Sequence, residues 1–130
     1  MPERSGDWIR QAKRDVESAK AQLETGFFEW ACFIAQQAAE KAIKAVYQKL
    51  GAEAWGHSAT DLLKGIKEKF SVTDDLIDRA KHLDKFYIPA RYPNGWASGI
   101  PAEYINKEDA QNAISNSEKI LQFCESLLVK

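Results

Sequence analysis

The segment from Phe28 to Leu50 constrains the fold of this 130-residue chain more than any other part of the sequence. In FEWACFIAQQAAEKAIKAVYQKL, apolar side chains surround almost the whole first half of a predicted helix. Such a helix has no polar face to turn toward water, so other elements must cover it from several sides. Its six alanines favour the helical conformation and allow neighbouring backbones to approach closely. The sequence therefore predicts a long central helix.

Four further helices are predicted from amphipathic spacing and from capping residues. Gly26 suits the left-handed conformation that ends a helix, and Ser58 followed by Asp61 resembles a capping box. Asn106 with Asp109 gives a similar start signal before the last helix. The predicted helices cover 7–25, the region from Ser58 to about Phe70, the region after Thr73, and 106–128.

The predicted architecture is all-α, an antiparallel up-and-down bundle of about five helices in a single domain that covers residues 1–130. No segment alternates apolar and polar residues for long enough to indicate a strand. Connections between helices are short except for one of about twenty residues before the last helix. We expect this long connection to be ordered, because its many aromatic side chains would be costly to leave in water.

Charge and hydropathy exclude several classes of protein. The net charge of −1 gives no general attraction to nucleic acid, although a local basic patch remains open. Apolar runs are all shorter than the roughly 20 residues that span a membrane. The stretch MPERSGDWIRQ lacks the apolar core of a signal peptide, so we expect a cytoplasmic protein without a membrane partner.

Metal and cofactor chemistry is not indicated. Cys32 and Cys124 each lie in an apolar helical pattern, which predicts two reduced thiols in the core. With two histidines, His57 and His82, a multi-histidine metal site is excluded, and neither HExxH nor CxxC occurs. Phosphate-binding glycine loops are also absent from the sequence. We therefore predict neither a metal site nor a cofactor, and we expect His82 to lie at the bundle edge.

The connection DKFYIPARYPNGWASGIP contains three of the four prolines and is the most distinctive candidate site. The prolines on either side of Arg91 restrict the backbone, so its guanidinium group stands on a stiff support. Arginine suits forked contacts with phosphate, and Tyr87, Tyr92 and Trp96 could stack on a base. The alternative is that these aromatic rings plug the bundle end while Arg91 pairs with an acidic residue, Asp84 or Glu40.

Polar residues inside the central helix form a second candidate group. Gln36, Glu40 and Lys44 follow one another at spacings of four and therefore share one helix face. Gln36 and Glu40 could lie near the floor of a cleft and orient other groups. Alternatively, this face is a solvated stripe or contacts a partner helix. His57, in WGHS, could bind an anion or cap a backbone group, or it is a surface histidine without a role.

Three segments in this order, AQQAAEKAIKA, GHSATDLL and YIPARYP, resemble the HEPN family (higher eukaryotes and prokaryotes nucleotide-binding domains). The resemblance covers nearly the whole chain and implies a bundle of four or five helices that usually dimerises. It also implies one of two activities. Some members bind nucleotides or partner a minimal nucleotidyltransferase in toxin–antitoxin-like pairs, and many others are metal-independent ribonucleases.

The sequence departs from the hallmark of the ribonucleases, an arginine followed four to six residues later by a histidine. Residues at those distances after Arg91 are Gly95, Trp96 and Ala97, so Arg91 would need His57 or Tyr92 as a catalytic partner. We therefore predict a binding module rather than an enzyme. It would be a homodimer that acts with a minimal nucleotidyltransferase and binds a nucleotide or RNA. A degenerate ribonuclease and a purely structural scaffold are the alternatives. The predicted ligand-binding residues are Arg91, Tyr92, Tyr87, His57, Glu40 and Gln36.

Overall fold

The computed structural model describes residues 3–129, and within that range the chain is a bundle of helices without a strand. The predicted all-α fold is confirmed. The helices are α1 (Ser5–Glu24), α2 (Phe28–Leu50), α3 (Ala59–Gly65), α4 (Asp74–Asp84), α5 (Pro101–Tyr104) and α6 (Lys107–Leu128). One 3₁₀ turn, Pro93–Gly95, and the short α5 lie inside the long connection between α4 and α6.

Helix α2 is central, as its apolar surface requires. It packs against α1 and α6 along most of its length and also contacts α3, α4 and α5. Its six alanines are all buried, and Ile43 is among the largest side chains that are fully buried. Small side chains at these positions let the α1 and α6 backbones approach α2 closely.

Most of the predicted helix boundaries are confirmed by the backbone. Gly26 and Gly51 adopt positive φ angles of 85° and 69° after α1 and α2. The Ser58 side chain accepts a hydrogen bond from the Asp61 amide, and Asn106 and Asp109 form a reciprocal capping box. Local hydrogen bonds of this kind depend on residues three positions apart, so a sequence pattern reveals them directly.

The predicted end of the third helix is wrong. Helix α3 ends at Gly65 rather than near Phe70, and residues 66–69 form successive turns. Glycine has a weak helix propensity, and backbone bonds of the tighter three-residue type follow it, from Lys67 to Lys64 and from Lys69 to Ile66. These turns still bury Ile66. The apolar residues whose spacing predicted a longer helix therefore reach the core from a series of turns instead.

Gly65 lies so close to Tyr47 that we expect Gly65→Ala to destabilise the protein. An added Cβ would overlap the Tyr47 hydroxyl group, which donates a hydrogen bond of 2.7 Å to the Leu62 carbonyl oxygen. Displacing that hydroxyl should cost about 1–2 kcal/mol in the free energy of unfolding, measured by urea titration. Tyr47→Phe removes the overlapping oxygen. The loss of stability in the double variant Gly65→Ala/Tyr47→Phe should therefore be smaller than the sum of the losses in the two single variants. Full additivity would contradict this explanation.

Both cysteines are free and buried in the core, as predicted. Burial raises the pKa of Cys32 to about 12 and also raises the pKa of Cys124. Thiols in such surroundings stay protonated and act as small apolar side chains. None of the helices within residues 3–129 is both long and apolar enough to cross a membrane.

Candidate functional site

Asp84, the last residue of α4, joins three parts of the bundle. Its Oδ1 accepts hydrogen bonds from the Ala59 amide at 2.9 Å and from Gln36 Nε2 at 3.2 Å. Its Oδ2 accepts bonds from the Thr60 amide and hydroxyl at 2.9 and 2.7 Å and from Ser58 Oγ at 3.1 Å. The carboxylate thereby satisfies amide groups at the start of α3, which otherwise lack partners inside that helix. Asp84 thus holds α2, α3 and α4 in one arrangement.

Gln36 and Glu40 are buried, with 0% and 4% of their surface exposed. The interpretation of this face as a solvated stripe is therefore wrong, because α4 and the chain around His57 cover it. Gln36 Nε2 donates to the His57 carbonyl oxygen at 2.9 Å. Glu40 Oε1 accepts from Lys44 Nζ at 2.9 Å and lies 2.9 Å from His57 Nδ1. Buried polar groups of this kind are tolerated only when each one finds partners.

The His57 imidazole lies at the surface above this buried network. Its side chain is 58% exposed, and its ring stacks on the Tyr87 ring at a centroid distance of 5.1 Å. A carboxylate that is paired with the Lys44 ammonium group acts as an acceptor, so Nδ1 is the nitrogen that carries the proton. The structure shows no hydrogen-bond partner for Nε2 within residues 3–129. His57 therefore presents one free ring nitrogen at the surface.

Arg91 is held by aromatic rings rather than by an acid. Its Nε donates to the Tyr87 carbonyl oxygen at 2.8 Å. The guanidinium carbon lies 4.4 Å from the centre of the Phe33 ring, 4.7 Å from that of Tyr87 and 5.1 Å from that of Tyr92. These distances are typical of cation–π contacts. These contacts fix the position of the positive charge. The N–H groups of the two terminal nitrogens form no hydrogen bond with any group within residues 3–129.

The alternative in which Arg91 pairs with Asp84 or Glu40 is wrong. No carboxylate within residues 3–129 forms a salt bridge with Arg91. The two candidate acids already have other partners. Asp84 accepts bonds at the start of α3, and Glu40 accepts bonds from Lys44 and His57.

Trp96 fixes the chain that carries Arg91. Its indole nitrogen donates to the Pro89 carbonyl oxygen at 2.7 Å, and its ring stacks on Tyr104 at 4.3 Å. The Tyr104 hydroxyl donates to the Ser98 carbonyl oxygen at 2.5 Å. Trp96 therefore stiffens the connection and packs one ring face against Tyr104, whereas Tyr92 leaves its ring exposed.

The residues of the site fall into two layers that meet at His57. We call the outer layer the arginine–aromatic patch, and it consists of Phe33, His57, Tyr87, Arg91 and Tyr92. The inner layer is the network of Gln36 and Glu40 below it. A small depression of about 140 Å³ at the edge of the patch is lined by His57, Ser58, Asp84 and Tyr87.

His82 lies outside this patch. Its Nδ1 is 3.0 Å from the Asn116 amide nitrogen, and its ring contacts the edge of Phe86. Burial lowers the pKa of His82, and the nearby Lys85 lowers it further. The half-buried position between α4 and α6 agrees with the predicted location at the bundle edge.

Two residues of the site were missed by sequence reasoning. Asp84 carries a sequence signal of its role, because a carboxylate at the C-terminal end of a helix is unfavourable for that helix and therefore indicates a partner elsewhere. Phe33, under the Arg91 guanidinium, carries no such signal. One more apolar residue in an apolar helix is indistinguishable from a core residue.

Three solved structures resemble this protein along almost its whole length. A protein from Thermus thermophilus is 42% identical, with a TM-score of 0.93 over 96% of this chain and 98% of that chain. An archaeal HEPN homologue is 38% identical, with a TM-score of 0.83 over 98% and 99%. A HEPN domain protein from Thermotoga maritima is 40% identical, with a TM-score of 0.79 over 95% and 98%.

Sequence comparisons agree with the structural ones. A curated protein of Methanocaldococcus jannaschii, named "Putative toxin MJ1304", is 26% identical over an alignment 130 positions long, which covers 93% of this chain and 86% of that protein. The family model for the HEPN domain matches residues 5–127. With a match over nearly the full chain and HEPN homologues among the solved structures that share its fold, this protein belongs to the HEPN domain family.

Proposed function

We propose that this protein is a nucleotide-binding module in which Arg91 contacts a phosphate group and the surrounding rings contact a base. The observation that carries the proposal is the state of the Arg91 guanidinium. It is fixed by three aromatic rings and one backbone carbonyl, yet it pairs with no acid within residues 3–129. An arginine in this state is prepared to bind an anion at little further cost in side-chain order.

The groups around Arg91 favour a ligand that carries both a phosphate group and an aromatic base. The planar guanidinium can make two parallel hydrogen bonds to phosphate oxygens. Tyr92 exposes an aromatic ring next to it, on which a base could stack. His57 Nε2 can accept a hydrogen bond from a sugar hydroxyl group, while Gln36 and Glu40 hold the loop and imidazole in place from below.

The biological setting we propose is a toxin–antitoxin-like pair with a minimal nucleotidyltransferase as the partner protein in the cytoplasm. Membership of the HEPN family and the toxin name of the M. jannaschii relative support this setting. We further propose a homodimer, because Phe27, Trp30 and Ile88 expose large apolar side chains, and Trp30 contacts the Phe33 ring that lies under Arg91. Co-expression with a candidate nucleotidyltransferase, followed by size-exclusion chromatography, tests the partnership and the dimer together.

Calorimetric titration of nucleoside mono-, di- and triphosphates tests the binding function. We expect Arg91→Ala to weaken the affinity about 10- to 100-fold, because charged hydrogen bonds contribute about 1.5–3 kcal/mol. Arg91→Lys should recover part of the loss, since lysine supplies charge without the fork. Arg10→Ala, which removes an exposed arginine on α1, is the matched control and should leave affinity unchanged. Absence of binding for every nucleotide would refute the proposal.

Metal-independent cleavage of RNA is the second candidate, and the Glu40–His57 contact is the observation that favours it. The carboxylate orients the imidazole so that Nε2 could take the proton of a ribose 2′-hydroxyl. The resulting oxygen would attack the adjacent phosphorus, Arg91 would stabilise the charge, and the 5′ oxygen would leave with a proton from solvent. Cleavage in EDTA that is lost in both His57→Ala and Arg91→Ala would support this activity. Intact RNA with the wild-type protein would exclude it. A pure scaffold should neither bind nor cleave.

A further inference from the structure

Asn94 and Gly95 form the only Asn-Gly pair in the sequence, and this pair lies in the long connection that carries Arg91. Both residues are exposed, and together with Pro93 they form the 3₁₀ turn of that connection. No group within residues 3–129 forms a hydrogen bond with the Asn94 side chain. The Asn94 amide group is therefore exposed to solvent next to a residue that has no side chain to shield it.

The fold requires glycine at position 95. A Cβ atom added there would lie 2.9 Å from Pro89 Cα, closer than Cβ atoms in folded proteins approach a neighbouring backbone. Trp96 accounts for this proximity, because its indole nitrogen donates a hydrogen bond of 2.7 Å to the Pro89 carbonyl oxygen and holds the turn against Pro89. The packing of the connection thus retains the one neighbour that leaves the Asn94 amide unshielded.

An asparagine that precedes a glycine can react with its own backbone. The Gly95 backbone nitrogen attacks Asn94 Cγ, a five-membered succinimide ring closes, and the side-chain NH₂ leaves as ammonia with the proton that the backbone nitrogen gives up. Water then opens the ring at one of its two carbonyl carbons, which produces aspartate or isoaspartate. The two reacting groups belong to adjacent residues, so ring closure needs no partner other than water.

The hydrogen bonds of the turn control when this reaction can occur. The Gly95 backbone nitrogen donates to the Tyr92 carbonyl oxygen at 3.2 Å. This bond must open before the nitrogen can approach Asn94 Cγ. Exposed turns open locally at a much lower free-energy cost than the core of a domain does. The rate of the reaction therefore reports how often the segment next to Arg91 opens.

We propose that Asn94 is a site of spontaneous deamidation, and that isoaspartate at this position breaks the Trp96–Pro89 hydrogen bond that anchors the connection. In isoaspartate the main chain runs through the side-chain carbons of residue 94 and is one methylene group longer. The longer chain cannot keep both the Trp96–Pro89 bond and the close contact of Gly95 with Pro89. The product also adds a carboxylate to the connection that carries the Arg91 guanidinium. Loss of anion binding in the modified protein rests on the function proposed for Arg91, whereas the modification itself does not.

Peptide mapping by mass spectrometry tests the site in the full-length protein after long incubation at mildly alkaline pH. We expect a mass increase of about 1 Da in the peptide that contains Asn94, and an isoaspartate-specific methyltransferase should label the same peptide. The other three asparagines are internal controls, because Asn106 forms a capping box and Asn112 and Asn116 lie within α6. Asn94→Gln should give no product, since a glutamine side chain would have to close a larger ring.

A variant outside the reacting pair tests the control by the turn. Trp96→Phe keeps a ring that can stack on Tyr104 but removes the N–H group that bonds to Pro89. The turn should then open more often, and we expect the reaction to be about fivefold faster. Trp55→Phe changes an exposed indole in the chain before α3 and should leave the rate unchanged.

The Trp96 indole N–H resonance tests the effect on the anchor. In the chromatographically separated isoaspartate form, this signal should shift and its hydrogen exchange with water should become faster. Asn94→Asp carries the same charge on a normal backbone, so its Trp96 signal should keep the exchange rate of the unmodified protein. This comparison distinguishes the effect of the longer backbone from that of the added charge.

Four outcomes overturn the inference. Asn94 stays intact while a synthetic peptide of residues 92–97 reacts under the same conditions, or Asn112 reacts as fast as Asn94. The rate is unchanged in Trp96→Phe, which would show that the turn does not control the reaction. The Trp96 signal is unchanged in the isoaspartate form, which would show that the anchor survives. None of these measurements uses a nucleotide, so failure here is distinguishable from failure of the function proposed for Arg91.

Discussion

Asp84→Ala is expected to lower the free energy of unfolding by about 3 kcal/mol, with a fall in Tm of about 10 °C. The carboxylate accepts five hydrogen bonds, from Gln36 on α2 and from Ser58, Ala59 and Thr60 at the start of α3. Alanine leaves the Gln36 amide with one acceptor fewer inside the core and the first amides of α3 without partners. Urea titration monitored by circular dichroism measures the loss.

Asp84→Asn removes the negative charge of the side chain and keeps its shape. Asparagine keeps one acceptor oxygen in the same place but replaces the other with a donor, so we expect roughly half the loss of the alanine variant. Asp78→Ala is the matched control, because Asp78 lies on the exposed face of the same helix and should change stability by less than about 0.5 kcal/mol. Equal stability of Asp84→Ala and Asp78→Ala would show that Asp84 does not join the helices energetically.

Glu40→Leu, as a separate single variant, is expected to lower the free energy of unfolding by about 3 kcal/mol. The substitution leaves the Lys44 ammonium, which is 16% exposed, without the carboxylate that neutralises it. It also removes the acceptor for His57 Nδ1. A buried pair is costly to break but contributes little net stability, because both charges lost their water on folding. The double variant Glu40→Leu/Lys44→Met should therefore recover a substantial part of the loss.

A double-mutant cycle over Glu40 and Lys44 measures this coupling. Glu17→Leu, which replaces an exposed carboxylate on α1, controls for the general effect of adding a leucine. If the double variant is no more stable than Glu40→Leu alone, the unpaired ammonium is not the cause. The lost His57 contact or a packing change would then be responsible.

Much of the fold could be predicted from the sequence because its signals are local. Apolar spacing along α2 and capping pairs such as Asn106 with Asp109 involve residues within one or two helical turns. The end of α3 was predicted incorrectly for the same reason. The spacing of Ile66 and Phe70 indicates that both face the core, but a series of turns satisfies that requirement as well as a helix does.

Individual residues of the candidate site could be predicted from the sequence, but the contacts between them could not. Proline spacing predicts that Arg91 is stiffly held, and spacings of four residues place the polar side chains of α2 on one face. Which acid would pair with Arg91 could not be read from the sequence, and the structure shows rings in place of an acid. The burial of Gln36 and Glu40 was equally hidden, since a helix face appears solvated until its neighbours are known.

The amino-acid sequence alone was sufficient to predict the helical class, the central place of α2 and the arginine-bearing connection, since each is indicated by a pattern of residues along a short stretch of the chain. The tertiary structure decided which partners the buried polar and charged side chains have. Gln36 meets Asp84 across 48 residues and His57 across 21, and such pairs exist only once the helices have packed. A buried polar group must find its partner in space, so its role is set by the whole fold rather than by its neighbours in the chain.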